Sequence, residues 1–338
     1  MTVGARGRSN PAGGTYNSAV TSSFTAPSVV ERLATPPSNG VVHFSVEFFP
    51  PRDQESEARL WRAVRVFERL DPAFVSLTYG AGGSTRDRTV RIAGELTTQT
   101  TLLTVAHLTA VNHSVAELRA LVGSYADQGI TNLLALRGDP PGDPLGEWVR
   151  HPQGVEYATE LVELLSDLGD FHIGVASFPE GHHRARDLDQ DTEVLIGKLR
   201  AGAEYSVTQM FFDVEDFLRL RDRIARADPE QAAKPLIPGI MPITSLASAR
   251  RMTQLSGSVI PPAVERRFAD AAGDGPQEDR AAVRAVGIDF ATETAQRLIA
   301  EGVPCLHFCS LNFAKATCEV LDRLGVDTRD ALPVVAVG

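Results

Sequence analysis

Apolar and polar residues follow two periods along most of this chain, and the two alternate. Short apolar runs occur at 42–48 (VHFSVEF), 73–79 (AFVSLTY), 102–108 (LLTVAHL), 131–137 (TNLLALR), 171–177 (FHIGVAS), 205–212 (YSVTQMFF), 235–241 (PLIPGIM) and 303–309 (VPCLHFC). They have strand length and strand-type residues. Between them lie stretches of helical period, such as ESEARLWRAVRVFERL from 55, SVAELRALVGSYADQG from 114 and DVEDFLRLRDRIARA from 213, where Asp213 reads as an N-cap. Eight strand–helix units in one chain predict an α/β fold of the (β/α)8 TIM-barrel type over 41–328. A doubly wound open sheet is the alternative, but it needs a glycine-rich first turn, and FFPPRD after the first run is nothing of the kind.

The ends break the pattern. The first 40 residues are rich in Gly, Ser, Thr, Pro and Asn with few large apolar side chains, which predicts a flexible tail over 1–40. A short C-terminal tail is expected over 329–338. The 255–290 stretch is longer than one unit needs, and DAAGDGPQED at 270–279 reads as an exposed loop before a long final helix.

Composition narrows the partners. The chain has 338 residues, 43% hydrophobic and 22% charged, with a net charge of −10 and no block of Lys or Arg. A polyanion such as nucleic acid is therefore a poor partner, and small-molecule chemistry is favoured. No apolar segment is long enough for a signal peptide core or a membrane span. The 3 cysteines lie between 305 and 318 and form no secretory framework, which suits a reducing cytoplasm.

In such a barrel the chemistry sits where strands end. The polar residues there are Glu47, Thr78, Tyr79, His107, Thr109, Arg137, Asp139, Gln209, Ser310 and Asn312, with SFPEGHH following the fifth run. Burying such groups without partners costs roughly 1–3 kcal/mol each, so a gathering of them at one rim points to a site. Each has a plainer reading on its own. Glu47 could pair with Arg52 or Arg137, His107 could be a core histidine, and Asp139 could cap a turn before Pro140. GAGGS at 80–84 reads as a hinge or an anion cradle, and His182 with His183 lacks a third ligand for zinc. Cys305 and Cys309 read as small hydrophobes on the last strand.

Taken in order, VEFFPPRD, LTYGAGGSTRDRT, AHLTAVNHSVAEL, ALRGDPPGD, VASFPEGH, AGAEYSVTQMFFD, IPGIMPIT and GVPCLHFCSLN resemble the methylenetetrahydrofolate reductases from about residue 42 to 325. The resemblance implies a (β/α)8 barrel holding FAD at its C-terminal face. Hydride from NADH or NADPH would pass through the flavin to 5,10-methylenetetrahydrofolate in ping-pong fashion, giving 5-methyltetrahydrofolate in a cytoplasmic enzyme. It implies Glu47 as the general acid toward N10, Asp139 as the carboxylate that favours the cationic iminium, and Gln209 as a folate hydrogen-bonding amide. Thr78, Tyr79, Ala81, His107, Arg137, Gly138, Asp139, Ala158, Phe178, His182, Ala185, Asp191 and Lys198 fall on positions that contact FAD. Homo-oligomers are common in the family.

An acid working near neutral pH should have a raised pKa, so Glu47 is expected to be partly buried, with Arg137 turned toward the cofactor instead of pairing with it. Some positions depart from the family pattern. Phe178 stands where many relatives have Tyr, Val194 and Gly197 replace polar or basic residues, and Leu246 replaces an aromatic that packs on folate or nicotinamide. Phe313 stands where an Arg often binds the folate tail. The lost flavin contacts support one alternative, direct hydride transfer from NAD(P)H without flavin. A pterin-dependent methyltransferase would need a corrinoid partner or a metal–thiolate cluster, for which Cys305, Cys309 and Cys318 are poorly placed.

Overall fold

The eight apolar runs form eight parallel strands in a computed structural model, which describes residues 27–79, 86–140, 142–143, 146–273 and 279–331. The strands are β1 (Phe44–Phe48), β2 (Phe74–Leu77), β3 (Thr104–Thr109), β4 (Asn132–Leu136), β5 (His172–Ser177), β6 (Tyr205–Met210), β7 (Leu236–Ile240) and β8 (Leu306–Cys309). They pair in chain order, and β8 closes onto β1 with Ser45 opposite His307 and Glu47 opposite Cys309. This is the predicted (β/α)8 barrel. The outer helices are α2 (Gln54–Arg69), α3 (Arg86–Gln99), α4 (Val115–Ala126), α5 (Ala158–Leu168), α6 (Leu188–Arg200), α7 (Val214–Ala227) with the short α8 (Pro229–Ala232), α11 (Arg280–Ala300) and α12 (Ala314–Arg323). Asp213 caps α7 by accepting from the Glu215 N–H.

Strand alternation separates two environments. Phe44, Val46 and Phe48 of β1 pack with Leu60, Val64 and Phe67 of α2 in the main core, while Ser45 and Glu47 face the barrel interior. The interior itself is layered. Its lower part is apolar, with Phe74, Val105, Leu134, Tyr205, Val207, Ile237 and Cys305 in one cluster. Glu47, His107, Gln209 and His307 lie above it, along the cavity at the C-terminal mouth.

The lower mouth is closed by a segment that composition had placed in the tail. Helix α1 (Val29–Ala34) starts with a capping box between Ser28 and Glu31, and its fully buried Val29 joins the lower apolar cluster. Asn132, at the start of β4, accepts from the Val29 N–H at 3.1 Å and donates to the Pro27 carbonyl at 3.1 Å. A helix of 6 residues is marginal alone, so these tertiary contacts hold it. Asn132→Ala would orphan two backbone groups at about 1–3 kcal/mol each. Thermal unfolding is expected to show a melting temperature lower by several degrees, and an unchanged value would mean that the clasp does not hold α1.

Two further differences concern the C-terminal third. Between β7 and β8 the chain makes α9 (Leu246–Ser256), α10 (Pro262–Ala272) and then α11, and the 21-residue α11 precedes β8 instead of ending the fold. Residues 270–272, expected in a loop, finish α10; residues 274–278 lie outside the described residues. At the C-terminus, Ala331 is buried and the Arg69 guanidinium donates to the Asp330 carbonyl, so the start of the expected tail is docked. No helix among the described residues is long and apolar enough to cross a membrane.

Candidate active site

Glu47 is the last inward residue of β1, and the end of β8 with the turn after it fixes it. On the β8 side, Ser310 Oγ donates to the Glu47 carbonyl at 2.9 Å. The next two residues, Leu311 and Asn312, both have positive φ (51° and 63°), a conformation costly for a bulky side chain such as leucine. That turn presents the Asn312 amide to Phe49, accepting from its N–H and donating to its carbonyl, both at 2.9 Å. The end of β1 is thus bolted to the end of β8.

The Glu47 carboxylate has a different neighbour on each oxygen. Oε2 lies 3.7 Å from His307 Nε2 and 3.8 Å from His107 Nε2, whereas Oε1 faces the Cys309 thiol at 3.8 Å. The imidazole contacts are longer than direct hydrogen bonds. His307 is held from behind, its Nδ1 sharing a 2.7 Å hydrogen bond with Ser45 Oγ. Burial pushes the Glu47 pKa up, but the His307 contact, then the charges of His107 and His307, then the Cys309 thiol outweigh it and leave the pKa below the ordinary carboxylate value. This corrects the expected raised pKa: strand-end burial is present, but donors and imidazoles surround the group. Burial lowers the His107 pKa to about 4, so its imidazole is neutral at neutral pH, and its buried Nε2 has no hydrogen-bond partner among the described residues.

Asp139 follows β4 in a different environment. Burial raises its pKa, and Arg137, His183 and Arg184 oppose the rise. It caps no helix, since α5 begins at Ala158. Gly138 has φ 83°, and a Cβ there would meet Val111 and Thr109 side-chain carbons at 2.6 and 2.9 Å, so glycine is required where the chain turns into the site. Arg137 forms no ion pair with Glu47 among the described residues, and its guanidinium lies 5.4 Å over the Trp148 ring.

Gln209 reaches the site through a bulge. Between Val207 and Met210 the β6 strand carries one more residue than β7, where Ile237 and Gly239 are the partners. Thr208 Oγ1 accepts from the Gly239 N–H at 2.9 Å, and a Cβ on Gly239 would sit 2.5 Å from the Thr208 carbonyl. The Gln209 side-chain oxygen accepts from the Met210 N–H at 2.9 Å, which aims the amide.

These residues line one cavity of about 370 Å³ at the C-terminal mouth. Of the expected positions it takes in Glu47, His107, Arg137, Gly138, Asp139, Ala158, Phe178, His182, Ala185, Asp191, Lys198 and Gln209. Lys198 is buried, donates to the Ala176 carbonyl at 2.5 Å, and has its pKa lowered to about 8 by burial against the opposing pull of Asp191. Phe178 meets His182 edge-on at 4.7 Å.

Four expected residues are not in the lining. Thr78 N–H donates to the Phe48 carbonyl, and the Tyr79 hydroxyl lies 3.2 Å from His113 Nε2. Leu246 opens α9 and packs with Met210, Phe212 and Met241 in a separate apolar cluster. Phe313 is 54% exposed, with the Arg59 guanidinium 5.0 Å over its ring. Ala81 lies outside the described residues. The structure adds His307 and Arg184 to the wall. For His307 a signal was present: it alternates with Cys309 as Ser45 does with Glu47, which places all four on inward positions.

Comparison with known proteins now bears on this geometry. The family profile described as methylenetetrahydrofolate reductase matches residues 32–325. The 5,10-methylenetetrahydrofolate reductase of Escherichia coli K12 is 37% identical over 288 residues, covering 85% of this chain and 92% of that protein. Methylenetetrahydrofolate reductase 1 of Schizosaccharomyces pombe is 34% identical over 310 residues, covering 91% of this chain and 50% of that protein. Among solved structures, an uncharacterized Clostridium thermocellum protein that binds two copies of 5-methyl-5,6,7,8-tetrahydrofolic acid superposes with a TM-score of 0.59 at 15% identity, covering 90% of this chain and 100% of that one, a likeness of fold. The chain therefore belongs to the methylenetetrahydrofolate reductase family of oxidoreductases.

Proposed function

We propose that the chain reduces 5,10-methylenetetrahydrofolate to 5-methyltetrahydrofolate with FAD at the C-terminal mouth and NADH or NADPH as reductant, the two substrates using the site in turn. The observation that carries this reading is that Glu47, Asp139 and Gln209, from β1, the end of β4 and β6, line one cavity. The wall suits FAD. Arg137, Arg184 and Lys198 supply cationic groups for a diphosphate, Phe178 and Ala185 offer apolar surface to a ring system, and His107 Nε2 is a buried polar atom without a hydrogen-bond partner among the described residues. Bound there, FAD would accept hydride from the nicotinamide and return it to the folate.

The protein's part is orientation, charge and proton handling. Gln209, with its oxygen held by the Met210 N–H, has its amide NH2 left to donate to the pterin. Asp139 places a negative charge where the methylene carbon becomes cationic as the imidazolidine ring opens. Glu47 delivers the proton to N10, which requires it to be protonated. In the protein alone the carboxyl sits below its ordinary pKa, with its side chain 20% exposed. A ligand filling the mouth removes the remaining water and strengthens burial, the cause that pushes this pKa up.

The test is a spectrum. Purified protein is expected to show flavin absorbance that NADH or NADPH bleaches without oxygen and methylenetetrahydrofolate restores. Colourless protein that still couples NAD(P)H oxidation to folate reduction would replace this reading with direct hydride transfer.

A further inference from the structure

The cysteine opposite Glu47 does more than fill space. Cys309 and Glu47 are register partners across the β1–β8 pair that closes the barrel. On one side the Cys309 side chain packs against the apolar cluster of Met210, Met241 and Ile243. On the other its sulfur lies 3.8 Å from Glu47 Oε1, and the sulfur also accepts from the Leu311 N–H. With apolar neighbours on one side, the S–H proton has the carboxylate as its acceptor. The two oxygens of Glu47 then face different groups, Oε1 the thiol and Oε2 the imidazoles of His107 and His307.

We propose that Cys309 is a positioning residue for Glu47: its S–H donates to Oε1, fixes the carboxylate plane, and so decides which oxygen is presented for proton delivery. Burial, and then the charge of Glu47, push the thiol pKa well above its ordinary value, which keeps the proton on sulfur throughout the working pH range. The charged and titratable groups around Glu47 are His107 from β3, His307 and Cys309 from β8, and Arg137 and Asp139 on the same cavity wall from the end of β4; Ser76, its register partner on β2, is uncharged. A donor to the ionised form favours that form, so removing it makes Glu47 hold its proton to higher pH.

This inference rests on the reading of Glu47 as the acid, and the tests separate the two. In Cys309→Val, which keeps an apolar side chain of similar size, the falling limb of the pH profile for methylenetetrahydrofolate reduction is expected to move up by about half a pH unit. In Cys309→Ser, which retains a hydroxyl donor, the limb is expected closer to that of the unaltered protein. A purely structural role would scale the rate at every pH without moving the limb. Infrared spectroscopy of the ligand-free protein gives a readout independent of activity and of any Cys309 variant. Glu47→Gln exchanges a carboxylate acceptor for a weaker amide, so one S–H stretching band is expected to move to higher frequency. A limb unmoved in Cys309→Val, or S–H bands unmoved in Glu47→Gln, overturns the proposal. Full folate reduction by Glu47→Gln overturns instead the assignment of the acid, while the infrared shift still decides whether the thiol contacts the carboxylate.

Discussion

Glu47→Gln is expected to lower the rate of methylenetetrahydrofolate reduction by roughly 10²–10⁴-fold, the range supplied by a positioned general acid. Oxidation of NADH or NADPH by the bound flavin is expected to persist, because that half-reaction needs no proton from Glu47. Gln keeps the size of the residue and the Ser310 hydrogen bond to its backbone carbonyl, so the loss would report on the proton and not on the shape of the strand. The pH dependence has a definite sign. A general acid works in its protonated form, so the folate half-reaction of the unaltered protein falls as pH rises through the pKa of Glu47, and the variant's residual rate lacks that limb. Stopped-flow measurement of the two half-reactions separately decides the matter, and equal rates of folate reduction with and without the carboxyl would remove Glu47 from the mechanism.

Asp139→Asn is expected to slow folate reduction by roughly 10²–10³-fold, the cost of losing one preorganised electrostatic group at a developing charge. The amide is nearly isosteric, so packing beside Gly138 is retained while the negative charge disappears. That charge is maintained at some cost: burial raises the Asp139 pKa, and Arg137, His183 and Arg184 oppose the rise. Neutralising it also leaves Arg137 and Arg184 with one anion fewer, so flavin content is to be measured in parallel. Normal flavin content with a folate rate within a few-fold of the unaltered protein would refute the electrostatic role.

Why so much of the fold was legible follows from the barrel's construction. Each strand packs its outward side against helices, so it reads as a short apolar run, and the polar residues that interrupt such runs at their C-terminal ends, Glu47, His107 and Gln209, stand out because a core position gives them no packing reason to be there. Arg137 and Asp139 are legible for the same reason just past the end of β4. Helix α1 was not legible, because a six-residue helix in a stretch of Ser, Pro and Asn exists through the lower cluster and through Asn132, 103 residues from Val29. The direction of the Glu47 pKa was hidden for a related reason: it depends on His307 and Cys309, which reach Glu47 when β8 closes on β1. Leu246 and Phe313 were placed by family position and not by any local pattern, and here one packs into a neighbouring cluster while the other carries Arg59 on its ring.

Helix α1 and its clasp also have a practical corollary. Because Pro27 is held at the pole opposite the cavity, a surface linkage made through the α1 side of the barrel leaves the entrance facing away from the support. Immobilised in that orientation, the protein is expected to keep its turnover.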